Sequence, residues 1–522
     1  MGGDAKGGDR VLRPGGLSLA DLRAIRNRES GLSLLLSDSD WQVVDQSARA
    51  VQRVLAQGHP VYGVNTGFGR LASERIAAAD LAILQLNLIR SHCVGVGDPL
   101  SPEVVRLVLA TKAAALARGH SGVRREVIGA LLAVYNSGLI PFIPSQGSVG
   151  ASGDLAPLAH LCLCLMGEGE FLVEGRAVPA APLLSQAGIA PLSLAAKEGL
   201  AFINGTQVST ALALDALFRF EPVLASALVV GAMSLDAARG SDGPFDPRVH
   251  RLRGHPGQID VATICRHLLA GSAIRASHRE GDDRVQDPYC LRCQPQVVGA
   301  CLDQLRYCSA VLHREANAVT DNPLLFENDG QPEFLSGGNF HAEPVALAAD
   351  AMATAIAEVG AIAERRIAML IDAGVSRLPP FLCAKPGLNS GFMIAHVTAA
   401  ALASENKSLA HPASVDSLPT SANQEDHVSM ATFAARRLGP MVSNVARIVA
   451  IEWLACAQGI EFLRPLRSSP PIEQAHALLR TRIPAMPEDR LLAPDIALAS
   501  AWVMDGTLAD VLREMPDLPA LV

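Results

Sequence analysis

The sequence predicts a mainly α protein, in which a smaller, loop-rich N-terminal domain precedes a long-helix bundle. Three observations carry this prediction. Of the 522 residues, 49% are hydrophobic but only 4% are aromatic, so the apolar side chains are mostly small or aliphatic. Apolar residues recur at helical spacing over long stretches, while strand signals are few. The best domain boundary lies near Gly205, which gives domains 1–205 and 206–522.

Four stretches show the period of amphipathic helices, with apolar residues three and four positions apart. They cover 104–136, 297–318, 344–373 and 428–463, and the first is predicted to contain two helices. Helices of this length usually pack side by side in a bundle. The clearest strand signal is a short hairpin over 171–178, because apolar residues there flank a Glu-Gly turn.

Composition and charge exclude several classes of protein. The net charge of −8 argues against nucleic-acid binding, which requires a basic surface. Ten cysteines are scattered along the chain, and the one C-x-x-C, Cys290 to Cys293, has no second pair to complete a zinc site. Reduced thiols in a cytoplasmic protein are therefore expected. Charged residues make up only 18%, so we expect much of the surface to be buried between subunits.

No membrane segment and no export signal are expected. The first residues, MGGDAKGGDR, form a polar, glycine-rich tail without the apolar core of a signal peptide. No uninterrupted apolar run reaches about 18 residues, the length that spans a bilayer. The nearest such run, 211–233, is interrupted by Asp215, Arg219 and Glu221.

An unusual cluster of small residues lies in SVGASGDLAP, residues 148–157. It is not a phosphate-binding loop, because it lacks both the Walker pattern and the G-x-G-x-x-G of dinucleotide sites. It is not the nucleophile elbow of a hydrolase either, because Asp154 stands where G-x-S-x-G needs its last glycine. Two interpretations remain: a flexible loop that enters a helix at Asp154, or a backbone that reacts with itself. This stretch alone favours the flexible loop.

The second interpretation fits the three residue types Ala151, Ser152 and Gly153. Attack of the Gly153 nitrogen on the Ala151 carbonyl carbon closes a five-membered ring. Loss of water from that ring and of the Ser152 hydroxyl leaves an imidazolone with an exocyclic methylidene, which is a strong electrophile. Glycine gives an unhindered nitrogen, serine supplies the leaving hydroxyl, and alanine keeps the compressed turn small.

Seven long motifs decide between the two interpretations. They are YGVNTGFG (62–69), GSVGASGDLAPLAH (147–160), NGTQ (204–207), VQDPYCLRCQPQ (285–296), TDNPL (320–324), SGGNFH (336–341) and ENKSLAHPASVDSLPTSANQEDHVSM (405–430). With them, the sequence resembles the aromatic amino acid ammonia-lyase family from about residue 60 to residue 465. The resemblance implies that Ala151, Ser152 and Gly153 form the 4-methylidene-imidazol-5-one prosthetic group of this family, and that the N-terminal domain carries it.

The resemblance also assigns roles to residues that would otherwise pass for packing or loop residues. Tyr62 would be the base that removes the β-proton of the substrate, although a loop tyrosine is ordinarily a half-buried packing residue. Asn204 would hydrogen-bond the carbonyl of the prosthetic group and so strengthen the electrophile. Gln286 and Tyr289 would lie close to its ring.

Arg292 and Phe340 complete the implied pocket. Arg292 would hold the substrate carboxylate at two points, which a guanidinium does better than an ammonium. On the sequence alone, a surface salt bridge is a serious alternative for Arg292, with three nearby acids as its partners: Glu280, Asp282 or Asp283. Phe340 would close the pocket wall.

Two positions point to an imidazole substrate. His92, in the pair Ser91-His92, departs from the Phe-Leu of family members acting on phenylalanine and the His-Leu of those acting on tyrosine. Glu425 stands where phenylalanine lyases carry glutamine, and a carboxylate accepts an imidazole N–H better than a carboxamide does. Without the family context, His92 would be interpreted as a capping or core histidine, and Glu425 as a solvated acidic residue at the start of a helix. The resemblance therefore implies conversion of L-histidine to trans-urocanate and ammonia, a step of histidine degradation.

The implied reaction is that of a carbon–nitrogen lyase. The amino group of the substrate adds to the methylidene carbon and becomes a better leaving group, and Tyr62 then removes the β-proton. Attack by the imidazole ring is an alternative that the sequence leaves open. No metal or diffusible cofactor is expected, because the 14 histidines show neither H-E-x-x-H nor another tight ligand cluster.

The family also implies a homotetramer with active sites shared between chains. Three other functions stay open. A histidine aminomutase would share the prosthetic group and return the amine to the β-carbon. A lyase for another aromatic amino acid is disfavoured by His92 and Glu425. A non-catalytic helical scaffold is disfavoured by Tyr62, Ser152 and Arg292, which are all present.

Overall fold

The computed structural model describes residues 9–58, 61–282, 284–515 and 518–521, so most of the N-terminal tail lies outside it. The chain forms two compact units, each of which gathers three segments. Unit 1 comprises Met1–Asp215, Ala310–Asp350 and Pro412–Arg436, and unit 2 comprises Ala216–Ser309, Ala351–His411 and Arg437–Val522. The division predicted near residue 205 treats each domain as one continuous segment. The predicted boundary between two independently folding domains, near residue 205, therefore stays a prediction.

Most of the described chain is helical, as the composition predicts. The first helices are α1 (Leu19–Asn27), α2 (Asp38–Gln57), α3 (Leu81–His92), α4 (Pro102–Leu116), α5 (Arg125–Ser137), α6 (Leu155–Leu165), α7 (Ala180–Gln186), α8 (Glu198–Ile203), α9 (Gln207–Ala237), α10 (Pro247–Arg253) and α11 (Pro256–Leu269). The others are α12 (Ala273–Ala276), α13 (Tyr289–Arg292), α14 (Gln294–Ala316), α15 (Glu343–Ile371), α16 (Ala373–Ser376), α17 (Met393–Leu409), α18 (Ala431–Arg436), α19 (Leu438–Glu461), α20 (Pro470–Arg480), α21 (Ala493–Met504) and α22 (Asp510–Arg513).

The long helices match the apolar periods of the sequence. The two helices predicted within 104–136 are α4 and α5, and those predicted over 297–318 and 344–373 are α14 and α15. The stretch 428–463 is divided into α18 and α19 at Arg437. These predictions are confirmed within a few residues at each end.

The described strands pair two by two and form no larger sheet. They are β1 (Asp9–Val11), β2 (Ser33–Leu35), β3 (Val96–Pro99), β4 (Pro144–Gln146), β5 (Glu170–Val173), β6 (Arg176–Pro179), β7 (Leu324–Asn328) and β8 (Gln331–Leu335). The pair β1–β2 is parallel and the other three pairs are antiparallel. The hairpin predicted over 171–178 is β5–β6 and is confirmed.

Local sequence signals set several helix ends in unit 1. Ser18 and Ser37 each begin a helix with a capping box, in which the serine side chain accepts from the backbone N–H of an aspartate three residues on. Helix α2 ends at Gly58, whose φ of 71° closes the helix in the left-handed conformation. Pro102 occupies the first turn of α4, where its missing N–H costs no hydrogen bond.

The core of unit 2 is built around α19. Almost every residue from Leu438 to Ile460 in this helix is buried, as is typical of a helix that neighbours surround on all sides. The buried carboxylate of Glu452 is paired with Arg366 at 2.9 Å and accepts from the Ser234 hydroxyl at 2.6 Å. A charge this deep is tolerated only when its oxygens are satisfied, and these two partners satisfy them.

Three helical stretches are long and apolar enough, by length and composition, to cross a membrane. They are Gln207–Ala237, Glu343–Ile371 and Ala431–Glu461. The count of uninterrupted apolar runs did not reveal these stretches, because each helix carries isolated polar residues, and the expectation of no membrane segment stays a prediction. In the most apolar 18-residue stretch of each helix, 83%, 72% and 83% respectively is buried inside the structure. Internal packing therefore accounts for much of this apolar composition.

Candidate functional site

The Ala-Ser-Gly triplet lies at the start of α6, against the loop that begins with Asn204. Gly153 pairs with Gly205 in an isolated parallel bridge, and the Asp154 N–H donates to the Gly205 carbonyl at 2.7 Å. Gly153 has a φ of +75°, and a Cβ added there would lie 2.2 Å from the Gly205 oxygen. Position 153 therefore requires glycine twice over, for its backbone conformation and for this close approach.

The Ser152 side chain contacts the carboxylate of Glu425. Its hydroxyl donates to Glu425 Oε1 at 2.5 Å, although 273 positions separate the two residues. The other carboxylate oxygen accepts from the hydroxyls of Thr420 at 2.7 Å and Ser421 at 2.9 Å. Within the described residues, Oε1 is thus hydrogen-bonded to Ser152, whereas Oε2 is hydrogen-bonded to residues of its own loop.

A chain of three groups leads from the triplet into the interior of unit 1. The Asn204 amide donates to the Ser152 carbonyl oxygen at 2.9 Å. The Asn204 backbone carbonyl in turn accepts from the ammonium of Lys112 at 2.7 Å. Both Lys112 and Asn204 are buried. Lys112 therefore holds the backbone of Asn204 in place. The Asn204 side-chain N–H donates to the oxygen that the resemblance assigns to the ring carbonyl.

Asp154, directly after the triplet, anchors the loop rather than facing solvent. It is fully buried, and its carboxylate accepts from Ser148, Ser209 and Thr432 at 2.7 to 3.0 Å. Burial raises the pKa of this carboxyl, and these hydrogen bonds oppose the rise. The bonds connect three separate segments of unit 1, so Asp154 fixes where the triplet lies.

A cavity of about 500 Å³ opens in front of the triplet, and every residue that lines it belongs to unit 1. Six of the predicted site residues line it: Tyr62, Ala151, Ser152, Asn204, Phe340 and Glu425. The Tyr62 hydroxyl accepts from the Gly69 N–H at 3.2 Å, which keeps the phenol within its glycine-rich loop. The structure thus gathers into one cavity residues from five separate motifs of the sequence.

His92 is the last residue of α3 and is not among the residues that line this cavity. Its Nδ1 donates to the Leu88 carbonyl at 2.8 Å, so Nε2 is the nitrogen left with a lone pair. Burial lowers the pKa of His92 and outweighs the opposing effects of Leu88 and of the Glu425 charge. The Glu425 carboxylate therefore lies near enough to act on the pKa of His92 in the folded chain.

The pKa of Glu425 is lowered. Burial acts to raise it, but the hydrogen bonds from Ser152, Thr420 and Ser421, with the His92 charge, outweigh burial. Near neutral pH the pair is consequently a neutral imidazole and an ionised carboxylate. The carboxylate is an acceptor only, which suits it to an N–H donor in the cavity.

Three predicted site residues belong to unit 2 and are not among the residues lining the cavity: Gln286, Tyr289 and Arg292. The Arg292 guanidinium stacks 4.6 Å from the centre of the Tyr289 ring, and its buried Nε has no hydrogen-bond partner. No ion pair joins Arg292 to Glu280 or Asp282 within the described residues, and Asp283 lies outside them. The guanidinium therefore keeps donor capacity for an anion.

Sequence reasoning missed Lys112 and the two hydroxyls that hold Glu425. Lys112 had a usable signal, since it is the one charged residue in the apolar run from Val104 to Leu116 apart from Arg106. Thr420 and Ser421 had none, because ordinary loop residues give no sign of which carboxylate they bond. The backbone conformation of residues 421–423, all at positive φ, brings these hydroxyls to Glu425.

The residues present fit the prosthetic group that the family forms. The glycine at 153 is sterically required, the Ser152 hydroxyl contacts a carboxylate, and the Ser152 carbonyl already accepts a hydrogen bond from Asn204. The Asn204 side-chain oxygen is itself buried without a partner, which leaves this amide with unused hydrogen-bonding capacity beside the triplet.

Comparison with known proteins gives consistent results. A histidine ammonia-lyase of Aromatoleum aromaticum is 62% identical over 498 residues, covering 95% of this chain and 94% of the relative. The crystal structure of histidine ammonia-lyase from Trypanosoma cruzi is similar, with a TM-score of 0.88, 42% identity, and coverage of 98% and 96%. A tyrosine aminomutase from Streptomyces globisporus has a TM-score of 0.91 at 34% identity, covering 98% and 99%.

The match to a family extends over most of the sequence. Residues 17–481 match the family described as aromatic amino acid lyase, and this range contains every predicted site residue. The cavity, the triplet and the contacts of Asn204 and Glu425 lie inside the same range. The chain therefore belongs to the aromatic amino acid lyase family.

Proposed function

We propose that this protein eliminates ammonia from L-histidine to give trans-urocanate, the activity of a histidine ammonia-lyase. The observation that carries the proposal is the Glu425 carboxylate, which shares one cavity with Ser152, Asn204 and Tyr62 and has one oxygen directed at the triplet. The relative from Aromatoleum aromaticum, at 62% identity, has the same activity in its name.

The triplet is proposed to cyclise with loss of two waters. The Gly153 nitrogen bonds to the Ala151 carbonyl carbon, and the first water takes that carbonyl oxygen with the protons of the Gly153 and Ser152 nitrogens. The second water takes the Ser152 hydroxyl with its Cα hydrogen. The positive φ of Gly153 and the packing against Gly205 support this step, because both bend the backbone at the reacting residue.

Once formed, the 4-methylidene-imidazol-5-one supplies an electrophilic carbon to which the amino group of the substrate can bond. The chain's own residues then do the remaining work. Asn204 donates to the Ser152 carbonyl oxygen and stabilises negative charge that develops there. Tyr62, in the same cavity, is positioned to take the β-proton.

Selection of the substrate ring is assigned to Glu425 and His92. Two hydroxyls occupy Oε2 of Glu425, and loss of the Ser152 hydroxyl on cyclisation frees Oε1 to accept an imidazole N–H. His92 presents Nε2 as an acceptor, because its Nδ1 is committed to Leu88. Acceptors suit the N–H of an imidazole, and the rings of phenylalanine and tyrosine offer no N–H.

Paired substitutions test this assignment. His92→Leu and Glu425→Gln should each lower the rate of urocanate formation from L-histidine far more than they lower the thermal midpoint of unfolding. The measurement is the ultraviolet absorbance of urocanate, with circular dichroism as the stability readout. Unchanged turnover of histidine in both variants would remove the main support for the substrate.

An aminomutase acting on histidine is the second candidate. The similarity to the tyrosine aminomutase, with its TM-score of 0.91, shows that this fold serves both outcomes. The two differ in whether the amine leaves the site or returns to the β-carbon. Chromatography of the products of L-histidine distinguishes them, because a mutase accumulates β-histidine and a lyase accumulates urocanate with free ammonia.

We further propose a homotetramer that completes each active site with residues from more than one chain, in the cytoplasm. Support comes from the motif that carries Arg292, in which Val285 is 95% exposed and Tyr289 is 71% exposed in the single chain. Apolar and aromatic side chains left this open indicate an interface. All ten cysteines are free thiols, which suits a reducing compartment.

A further inference from the structure

Two histidines and a glutamate meet at the wall of the cavity, and the mechanism above uses none of them. His341, Glu343 and His427 each offer one ligand atom, and these atoms all lie within 4.8 Å of one another. His341 and His427 also line the cavity. The expectation that the histidines form no tight ligand cluster is wrong for the described chain, because 86 positions separate the two histidines in sequence.

The tautomer of the neutral His341 ring follows from its surroundings. Its Nε2 lies 3.1 Å from the backbone carbonyl oxygen of His427. A carbonyl only accepts, so Nε2 carries the hydrogen and Nδ1 keeps a lone pair in the neutral ring. Metal-ligating histidines commonly donate their other nitrogen to a carbonyl in this way, which fixes the tautomer and the ring orientation.

Glu343 has an oxygen without a partner. Its Oε2 is inaccessible to solvent, and no hydrogen bond to it is present among the described residues. A buried carboxylate oxygen left unpaired is costly, so Oε2 has the capacity to bind a metal ion or to accept a hydrogen bond from water. Glu343 begins α15, and this position places its carboxylate beside the ring of His341.

The ligand types narrow the ion that fits. Two imidazoles and one carboxylate form the ligand set of many zinc sites and of other first-row transition metals, whereas magnesium and calcium prefer oxygen ligands. Three protein ligands leave at least one coordination position for water or for a group in the cavity. No fourth histidine, cysteine or acid within the described ranges joins the cluster.

We propose that His341, Glu343 and His427 bind a divalent ion of the zinc class. The ion would join the first turn of α15 to the loop that carries Glu425 two residues before His427. His341, just before α15, and the loop that carries Glu425 and His427 both line the cavity, so binding fixes one wall of it. The elimination of ammonia does not pass through this ion, and the site stands independently of the proposed substrate.

The test is direct metal binding by the full-length protein after treatment with a chelator. Titration with Co²⁺ should give one ion per chain, with visible bands typical of nitrogen and oxygen ligands, and Zn²⁺ should displace it. His341→Gln, Glu343→Gln and His427→Gln should each weaken binding by more than about tenfold, since even outer-shell changes cost 10- to 100-fold. His267→Gln, at an exposed histidine of unit 2, is the matched control and should bind as the wild type does.

Three results would overturn the proposal: no saturable binding, equal binding by all four variants, or an intense thiolate band. A thiolate band would place the ion at cysteines instead, of which Cys93, Cys290 and Cys293 are partly exposed. A second measurement avoids variants that fail to fold. Diethyl pyrocarbonate should modify the exposed His427 in the wild-type protein, and Zn²⁺ should protect it, as mapped by peptide mass. Modification of His427 at the same rate with and without Zn²⁺ contradicts the proposal.

Discussion

The substitution Lys112→Met tests how strongly burial lowers the pKa of the lysine that donates to the Asn204 backbone carbonyl. Lys112 is 1% exposed, and burial lowers its pKa to about 7 from the ordinary 10.5, with Asp321 opposing the change. Between those two values the unfolded chain is protonated at this lysine and the folded chain is not. Stability of the wild type should therefore rise with pH across that range, by roughly 1.4 kcal/mol per pH unit for this group.

Methionine has a similar length and no charge, so the variant lacks this dependence. It also loses the hydrogen bond to the Asn204 carbonyl, which costs about 1–3 kcal/mol at any pH. From pH 10 to pH 7 the stability of the variant relative to wild type should consequently improve by about 4 kcal/mol. At pH 10 the variant is expected to be the less stable protein, and at pH 7 the more stable one.

The assay is urea unfolding at a series of pH values, followed by far-ultraviolet circular dichroism. Lys407→Met is the matched control, because Lys407 is exposed on α17. Other titrating groups are the same in variant and wild type, so they cancel in the difference. A difference between Lys112→Met and wild type that stays constant from pH 7 to pH 10 would refute the assigned burial effect.

Three further predictions concern the triplet and its assembly. Gly153→Ala should lower the thermal midpoint of unfolding and prevent the loss of water, because it combines a positive φ with a Cβ 2.2 Å from the Gly205 oxygen. Gly175→Ala is the control for backbone strain alone, because Gly175 has a φ of +79° and no atom within 4 Å of an added Cβ. This control variant should keep the modification. Ser152→Ala should lose turnover and keep its helical content, since it removes the leaving hydroxyl and little volume; retained turnover of histidine would exclude the proposed prosthetic group. Mixing inactive Ser152→Ala and Arg292→Ala chains and reassembling them should restore part of the activity, and no rescue despite subunit exchange measured by native mass spectrometry would contradict shared sites.

Much of the fold followed from the period of apolar residues. The helices α4, α5, α14 and α15 and the hairpin β5–β6 lie where that period and a turn signal placed them. These elements depend on local spacing, which one sequence carries. The assembly of each unit from three segments does not, because it depends on contacts between residues hundreds of positions apart.

The site was predicted to a similar extent. The motifs named Tyr62, Ser152, Asn204 and Glu425, which the structure places around one cavity. The sequence did not show that the hydroxyl of Ser152 contacts Glu425, nor that His341 meets His427. Such pairs form only when separate loops fold together, so neither residue type nor spacing indicates them.

Three other predicted site residues are not among those lining the cavity, so their roles stay predictions. They are Arg292, expected to bind the substrate carboxylate, and Gln286 and Tyr289, expected beside the ring of the prosthetic group. The buried Nε of Arg292 has no hydrogen-bond partner. In the proposed homotetramer these three residues lie beside the triplet of another chain, an arrangement that local sequence pattern does not encode. The exposure of Tyr289 in the single chain supports the proposed interface at this motif.

The proposed reaction depends on the conversion of Ala151, Ser152 and Gly153 into the electrophile that accepts the amino group of histidine. The most direct measurement is the mass of the peptide that contains them, taken from protein shown in the same preparation to convert L-histidine to urocanate. We predict that this peptide is lighter than its sequence by two waters and that the loss is confined to the three residues. An unmodified peptide mass in protein that turns over histidine would contradict it.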